Sequence, residues 1–237
     1  RECDLKRLAK LKHATLSITF GRRSDNNVYQ GGVLIITDDT VLGDVRVLNT
    51  HSNLIRIETT FGDARLEIAS VYAPSVAAER VAFFKLISDN KMLSKDTFAG
   101  GDWNVVEDVT LDVSSANPLG YNNTGIQALH DITTPLGLLD VHRDQIENKR
   151  EYTRGGSTVG GGYTSTRIDR WLVPIGTDFL LTSGISNEFV YKDKPSDHSA
   201  VTLIIEDKQG DLGHARETVA EDLLLEPKVQ EEIRSLL

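Results

Sequence analysis

Thr97-Phe98-Ala99-Gly100-Gly101-Asp102-Trp103-Asn104 decides how this 237-residue chain is read. Its first half is short and apolar, the pattern of a buried strand. Gly100 and Gly101 then let the backbone turn tightly, with no Cβ to clash. A carboxylate, an indole and a carboxamide follow at once. An acid and an amide where a buried strand opens into a loop suit a reactive site better than a core, and in layered α/β proteins the loops at strand ends hold the chemistry. Taken alone, an ordinary Gly-Asp turn closed by an Asn cap fits the octapeptide equally well.

Working outward, the flanking segments predict a mixed α/β domain. Upstream, Ile55, Ile57, Thr59 and Phe61 alternate, Gly62-Asp63 turns the chain, and Leu66, Ile68, Ser70 and Tyr72 alternate back, a hairpin pattern ended by Ala73-Pro74-Ser75. Residues 77–89 place Val81, Phe84 and Ile87 on one face of a helix. Strands are expected over 14–20, 31–37 and 45–49, with a polar loop over 21–30. The contiguous Val33-Leu34-Ile35-Ile36 predicts burial on both faces. Residues 4–12 carry Leu5, Leu8 and Leu11 among basic residues, a short amphipathic helix. Downstream, 105–122 reads as a polar loop and 124–134 as a helix stopped by Pro135. Residues 138–141 form a short apolar segment, and 163–173, 178–182 and 200–205 read as strands. The glycine-rich run 155–162 is a flexible loop, since it lacks the Lys and Ser/Thr of a phosphate-binding loop. Strands and helices interleave with hairpins as well as crossovers, which predicts a mixed rather than a purely parallel sheet.

The length suffices for one large α/β domain with a sizeable core. Hydrophobic residues make up 39% and charged residues 26%, the balance of a soluble globular chain. No apolar run approaches a membrane span, and no secretory pattern is visible. Cys3 is the one cysteine, which excludes an internal disulfide and fits a reducing, intracellular compartment. The net charge of −9 excludes a generally basic nucleic-acid coat. It leaves room for a nuclease, whose acidic centre is offset by metal ions and whose basic residues are local.

Three further strand ends carry polar residues. Tyr72 closes the hairpin. Asp169 sits within Ser165-Thr166-Arg167-Ile168-Asp169-Arg170-Trp171. Ser196-Asp197-His198-Ser199 precedes the last strand. Singly, these read as a packing tyrosine, a surface ion pair and a hydrogen-bonded turn. Together and in order they match the needs of phosphate-ester hydrolysis: carboxylates for a divalent cation, a base for water, and donors for the non-bridging oxygens. A histidine held by a carboxylate is a natural charge stabiliser or proton carrier.

At Val71-Tyr72-Ala73-Pro74, Gly101-Asp102-Trp103-Asn104, Glu151-Tyr152-Thr153, Arg167-Ile168-Asp169 and Ser196-Asp197-His198-Ser199-Ala200 the chain resembles the endonuclease/exonuclease/phosphatase family, and within it the endonuclease domain of LINE-type (non-LTR) retrotransposons. The resemblance runs over residues 1–206. It implies two packed mixed β-sheets flanked by helices, a four-layer α/β sandwich. It implies a Mg²⁺-dependent endonuclease, with Mn²⁺ as a substitute, that nicks DNA and leaves a 3′-hydroxyl to prime reverse transcription. Residues 207–237, with a helix over 227–237, would form a linker leading towards a reverse transcriptase. A nuclear location and no membrane partner are expected.

By position, Asp102 would orient or deprotonate the attacking water and Asn104 would help place it. Glu2 and Asp197 would hold metal. His198, paired with Asp169, would contact the scissile phosphate, and Tyr72 would stabilise developing charge. Thr153 and Ser196 would support the substrate site through hydrogen bonds. Glu2 follows Arg1 where the family has Gln, and the family's first strand, with an essential Asn, precedes that position. The expectation is therefore a fragment or a truncated copy. DNA contacts are expected from Arg22, Arg23, Arg154, Arg167 and Arg170 in or beside loops around the site. The competing expectations are a phosphodiesterase or phosphatase of the same family acting on a smaller ester, and a non-catalytic DNA-docking module.

Overall fold

The computed structural model describes residues 14–23, 29–115, 117–157, 162–186 and 196–207. The helices expected over 4–12 and 227–237, the linker beyond 207, and Glu2 lie outside the described residues. In chain order the strands and helices are β1 (Ala14–Arg23), β2 (Tyr29–Asp38), β3 (Arg46–His51), β4 (Leu54–Phe61), β5 (Ala64–Tyr72), α1 (Ala77–Asp89) and β6 (Thr97–Asp102). They continue with α2 (Val109–Asp112), β7 (Val113–Ser114), α3 (Ile126–Leu136), β8 (Leu138–Asp140), α4 (Val141–Gln145), β9 (Arg154–Ser157), β10 (Tyr163–Thr166), β11 (Asp169–Pro174), β12 (Phe179–Ile185) and β13 (Val201–Asp207).

A six-stranded sheet in the order β3-β4-β5-β6-β11-β8 forms the centre. It is mixed: β5 and β6 run parallel, while the other neighbouring pairs are antiparallel. Period-two alternation assigns its side chains to opposite faces. Leu54, Ala69, Val71, Ala99, Leu138 and Leu172 pack with Phe83, Phe84 and Ile87 of α1 and Leu129 and Ile132 of α3. On the other face Ile55 and Ile57 meet Val33 and Ile35 of β2. Leu66, Phe98 and Val173 meet Phe179, Leu181, Leu203 and Ile205 of β12 and β13. Antiparallel β1–β2 and β12–β13 thus form a second strand layer against the central sheet, and helices cover the opposite face. This is the expected α/β arrangement of packed sheets flanked by helices.

The hairpin pattern is realised with full register from Leu54↔Val71 to Phe61↔Ala64, and α1 occupies the expected 77–89. Its buried stripe is shifted: Arg80, Phe83, Phe84 and Ile87 are covered, while Val81 stays 37% exposed. Burial of β2 on both faces does not hold. Val33 is covered but Ile36 is 40% exposed, because among the described residues the β1–β2 hairpin packs against one layer. Pro135 does not stop α3. It lies inside the last turn, and Gly137, at φ 63°, ends the helix by returning its N–H to the Thr133 and Thr134 carbonyls. The loop expected over 105–122 contains α2, β7 and a 3₁₀ turn at Pro118–Gly120.

The strand expected over 163–173 is broken at Arg167-Ile168. β10 belongs to a small β7-β10-β9 sheet and β11 to the centre. The break follows from two contacts: Arg167 is drawn to Asp112, and the Ile168 carbonyl accepts the Trp103 N–H at 2.9 Å.

The two central glycines are required by close approach. A Cβ on Gly100 would lie 2.7 Å from the Trp171 indole, and one on Gly101 would lie 1.9 Å from the Val71 carbonyl oxygen. Gly101 also has φ +142°, a conformation open to glycine and strained for other residues. Gly101→Ala is expected to lower stability by about 2 kcal/mol through backbone strain and overpacking. A urea unfolding curve with an unmoved midpoint would refute that reading of the β5–β6 contact.

Candidate active site

Strand register builds the site. Tyr72 is the parallel partner of Asp102, and Asp169 is its antiparallel partner, so the three stand side by side across β5, β6 and β11. The ladder continues past the strand end, where the Ala73 N–H donates to the Asp102 carbonyl at 2.7 Å. Trp103, the next residue, points into the core, fully buried, and its indole N–H donates to the Arg170 carbonyl at 3.2 Å.

Asn104 fixes the Asp102 carboxylate. Its backbone N–H donates to Oδ1 at 2.8 Å, and its Nδ2 donates to Oδ2 at 3.0 Å and to the Ala73 carbonyl at 2.7 Å. These bonds need the left-handed backbone of Asn104, φ 51°, which Asn tolerates better than most residues. Asp102 is oriented before any substrate arrives. Burial, then the nearby charge of Asp169, push its pKa up from 3.8 to about 6.

His198 reaches the same point from β13's approach segment. Its Nδ1 lies 2.9 Å from Asp169 Oδ2. That hydrogen bond, acting against burial and aided by the charges of Asp169, Asp102 and Asp197, raises the imidazole pKa and favours the cation. A backbone bridge between His198 and Arg154 and the Ser199 N–H to Thr153 carbonyl bond at 2.6 Å tie the segment down. Ser196 Oγ accepts the His198 N–H at 3.0 Å. Thr153 is fully buried. Its Oγ1 accepts the N–H groups of Ile168 at 3.1 Å and Asp169 at 3.0 Å, so it stands beneath the site and holds the turn into β11.

Register and hydrogen bonds therefore bring Tyr72, Asp102, Asn104, Asp169 and His198 to one end of the central sheet, with Thr153 and Ser196 bonded to the adjoining segments. Asp197, half-exposed, borders the cluster: its Oδ1 lies 3.8 Å from His198 Nε2, and Arg154 Nε donates to its Oδ2 at 2.9 Å. Burial would raise the Asp197 pKa, but the bond to Arg154 outweighs it and the carboxyl lies below its ordinary value. The backbone of Arg22 and Arg23 pairs with Gln30 and Tyr29 in the β1–β2 hairpin; their side chains and Glu2 lie outside the described residues.

Arg167 and Arg170 are not loop cations available to DNA. Both are buried, at 0% and 1% exposure. Arg167 is bound to Asp112 and Asp140, and Arg170 to Glu107 and the Val105 carbonyl. A guanidinium offers five donors in a fixed fork, and Asp112 and Glu107 of the 105–122 segment fold over these two and take up several of them.

Sequence reading missed three contributors. Asn53 Nδ2 donates to the Tyr72 carbonyl at 2.7 Å and fixes that strand end. Arg80, buried on α1, donates to the Pro74, Ser75 and Thr124 carbonyls and clamps the turn after Tyr72 to the loop before α3. Tyr121 is half-buried near the charges of Arg80, Arg154 and Asp102; burial first, with the Asp102 charge, raises its pKa. A helical Arg and a loop Tyr carry no spacing that marks them. Only the Asn104-like position of Asn53, a carboxamide at a strand end, was there to be read.

Asp102, Asp169 and His198 each offer a ligand atom, and these atoms lie within 4.8 Å of one another. Two carboxylates in a partly buried cluster, one with a raised pKa, suit a hard divalent cation that would offset their mutual repulsion. The residues present fit such an ion.

No protein-family profile and no curated protein sequence matches the chain. Solved structures do. The endonuclease domain of TRAS1, a telomere-specific non-LTR retrotransposon, superposes with a TM-score of 0.56 at 18% identity, covering 82% of this chain and 81% of that one. TDP2 of D. rerio, complexed with single-strand DNA product, gives 0.51 at 18% identity over 83% and 79% of the two chains. A functionally unknown conserved protein from Enterococcus faecalis V583 gives 0.51 at 12% identity over 86% and 81%. The chain has the endonuclease/exonuclease/phosphatase fold, shared with the TRAS1 endonuclease domain and TDP2.

Proposed function

We propose that the chain is a metal-dependent endonuclease that hydrolyses DNA phosphodiester bonds, nicking target DNA so that the 3′-hydroxyl primes reverse transcription. The observation that carries this reading is the cluster in which the Asp169–His198 pair, with Nδ1 and Oδ2 2.9 Å apart, faces the oriented carboxylate of Asp102. Asp102, its two oxygens held by Asn104, orients the attacking water and takes its proton. Asp169 fixes the His198 ring and favours its cationic form, so that Nε2–H meets the negative charge developing on the phosphate. The Tyr72 hydroxyl contributes a further donor. Asp102 and Asp169 would hold Mg²⁺ or Mn²⁺, which would supply charge stabilisation at the phosphoryl oxygens, while the protonated His198 keeps both ring nitrogens for hydrogen bonds. The family resemblance assigns Asp197 and Glu2 to the metal site as well. Residues 1–206 act as the nuclease domain, with 207–237 leading towards a reverse transcriptase of the same polypeptide, working in the nucleus. The fold likeness to a retrotransposon endonuclease domain and to a protein holding a DNA product supports this assignment.

Incubation with supercoiled plasmid tests it. Open circles are expected with Mg²⁺ and none in EDTA, with single nicks preceding linear product. Turnover of small phosphate esters without plasmid nicking would move the chain to a phosphatase role. Neither activity would leave a docking module.

A further inference from the structure

We propose that Arg154 is the substrate-phosphate ligand of this site, held by Asp197 in the free protein and released to a DNA phosphate on binding. The proposal rests on the endonuclease reading above and names a residue in it.

Four observations converge on Arg154. Its place is fixed at the centre: it forms a backbone bridge with His198, and the neighbouring Gly155 N–H donates to the Asp197 carbonyl at 3.0 Å. Its charge reaches the reactive carboxylate, since it is among the groups that lower the Asp102 pKa against burial. Its side chain is open: Arg154 is 48% exposed and its partner Asp197 51%. And its contact is incomplete. Nε alone binds Asp197, leaving the two terminal nitrogens without a hydrogen bond among the described residues.

The other arginines near the site are committed. Arg80 spends its donors on the Pro74, Ser75 and Thr124 carbonyls, Arg167 on Asp112 and Asp140, and Arg170 on Glu107 and Val105. An acidic centre in a chain of net charge −9 repels a polyanion unless a cation stands at its mouth. An exposed, single-contact ion pair is weakly held in water. A phosphate offers the guanidinium two parallel charge-assisted bonds in place of one. The exchange leaves Asp197 half-exposed to water, so releasing it strands no buried charge.

The test is duplex DNA binding in EDTA, where no cleavage competes. Wild type, Arg154→Ala, Arg154→Lys and Asp197→Asn are compared across a salt series, with thermal melts confirming that each variant is folded. Arg154→Ala is expected to weaken binding about tenfold and to reduce the slope of log K against log salt by about one unit. Arg154→Lys keeps the slope and recovers part of the affinity, since an ammonium is a point charge. Asp197→Asn tightens binding in the wild type and much less in the Arg154→Ala background, because part of its effect is release of Arg154. Replacing one phosphate beside the scissile position with a neutral methylphosphonate should weaken wild type and leave Arg154→Ala indifferent. If Arg154→Ala binds with unchanged affinity and slope, or remains as sensitive to the methylphosphonate as wild type, this assignment is wrong while plasmid nicking still stands. If wild type neither binds duplex nor nicks plasmid, the endonuclease reading falls and this assignment with it.

Discussion

Asp102→Asn is expected to reduce plasmid nicking by about 10²–10⁴-fold, the range for loss of a positioned general base, while leaving the metal-free protein as stable as wild type or more so at pH 8. The two effects share one cause. Burial and the charge of Asp169 hold the Asp102 pKa at about 6, above its ordinary 3.8. The folded protein therefore binds this proton more tightly than the unfolded chain. Stability from this group is fully present below the unfolded pKa and is lost as pH rises through about 6. At pH 8 the ionised carboxylate costs the fold on the order of 3 kcal/mol, from a shift of about two units. Asparagine removes that cost, less what is lost where its amide meets the Nδ2 donor of Asn104. A gain in melting temperature of several degrees follows for a domain of this size. It should shrink towards pH 4, where the wild-type carboxyl is already protonated. A residue kept only for packing would lose stability and activity together. A variant that nicks normally, or one that melts well below wild type at pH 8, would remove Asp102 from its assigned role.

The same contrast marks what the sequence could and could not say. The β4–β5 hairpin, α1 and the Gly100-Gly101 strand end were legible because each is a local pattern: alternation about Gly62-Asp63, apolar spacing over 77–89, and two glycines where the Trp171 indole and the Val71 carbonyl leave no room for a Cβ. Tyr72, Asp102 and Asp169 were legible as strand-end polar residues, and register then put them in one row. Arg167 and Arg170 were misread because a sequence shows a cation without its partners. Those partners, Asp112 and Glu107, lie 55 and 63 residues away in a segment that looked like a solvated loop. Separation in sequence likewise hid the Arg154–Asp197 pair, 43 residues apart. Periodicity reports which face of an element meets apolar neighbours. It carries nothing about which charges will be buried together, since that depends on where separate loops close over one another.

Asp112→Ala is expected to destabilise the protein by about 3–5 kcal/mol, the cost of removing one partner from a buried ion pair. Asp112 is fully buried at the end of α2. Its Oδ1 accepts from Arg167 Nε at 2.8 Å and from Arg143; its Oδ2 accepts from Arg167 at 3.2 Å and from the Glu107 and Asp108 N–H groups at 3.2 and 3.1 Å. Alanine leaves the fully buried Arg167 with Asp140 as its one carboxylate partner among the described residues and strands two backbone donors. Asp112→Asn keeps the shape and some of the acceptors but not the charge, and should fall between. The pH dependence separates this from a cavity effect. Burial would raise the Asp112 pKa, but the hydrogen bond and charge of Arg167 outweigh it and hold the group below its ordinary value. Its contribution is therefore complete above the unfolded pKa and is lost as pH falls through the folded one. The gap between wild type and Asp112→Ala in urea should narrow as pH drops below about 4, whereas a packing defect would cost the same at every pH. Because Arg167 sits two residues before Asp169, the variant should also lose nicking under conditions where it is still folded, as the turn that aims Asp169 at His198 loosens. An unmoved urea midpoint at pH 7, or a gap that does not change with pH, would show that Arg167 is held by its other contacts and that Asp112 is not the anchor of this half of the site.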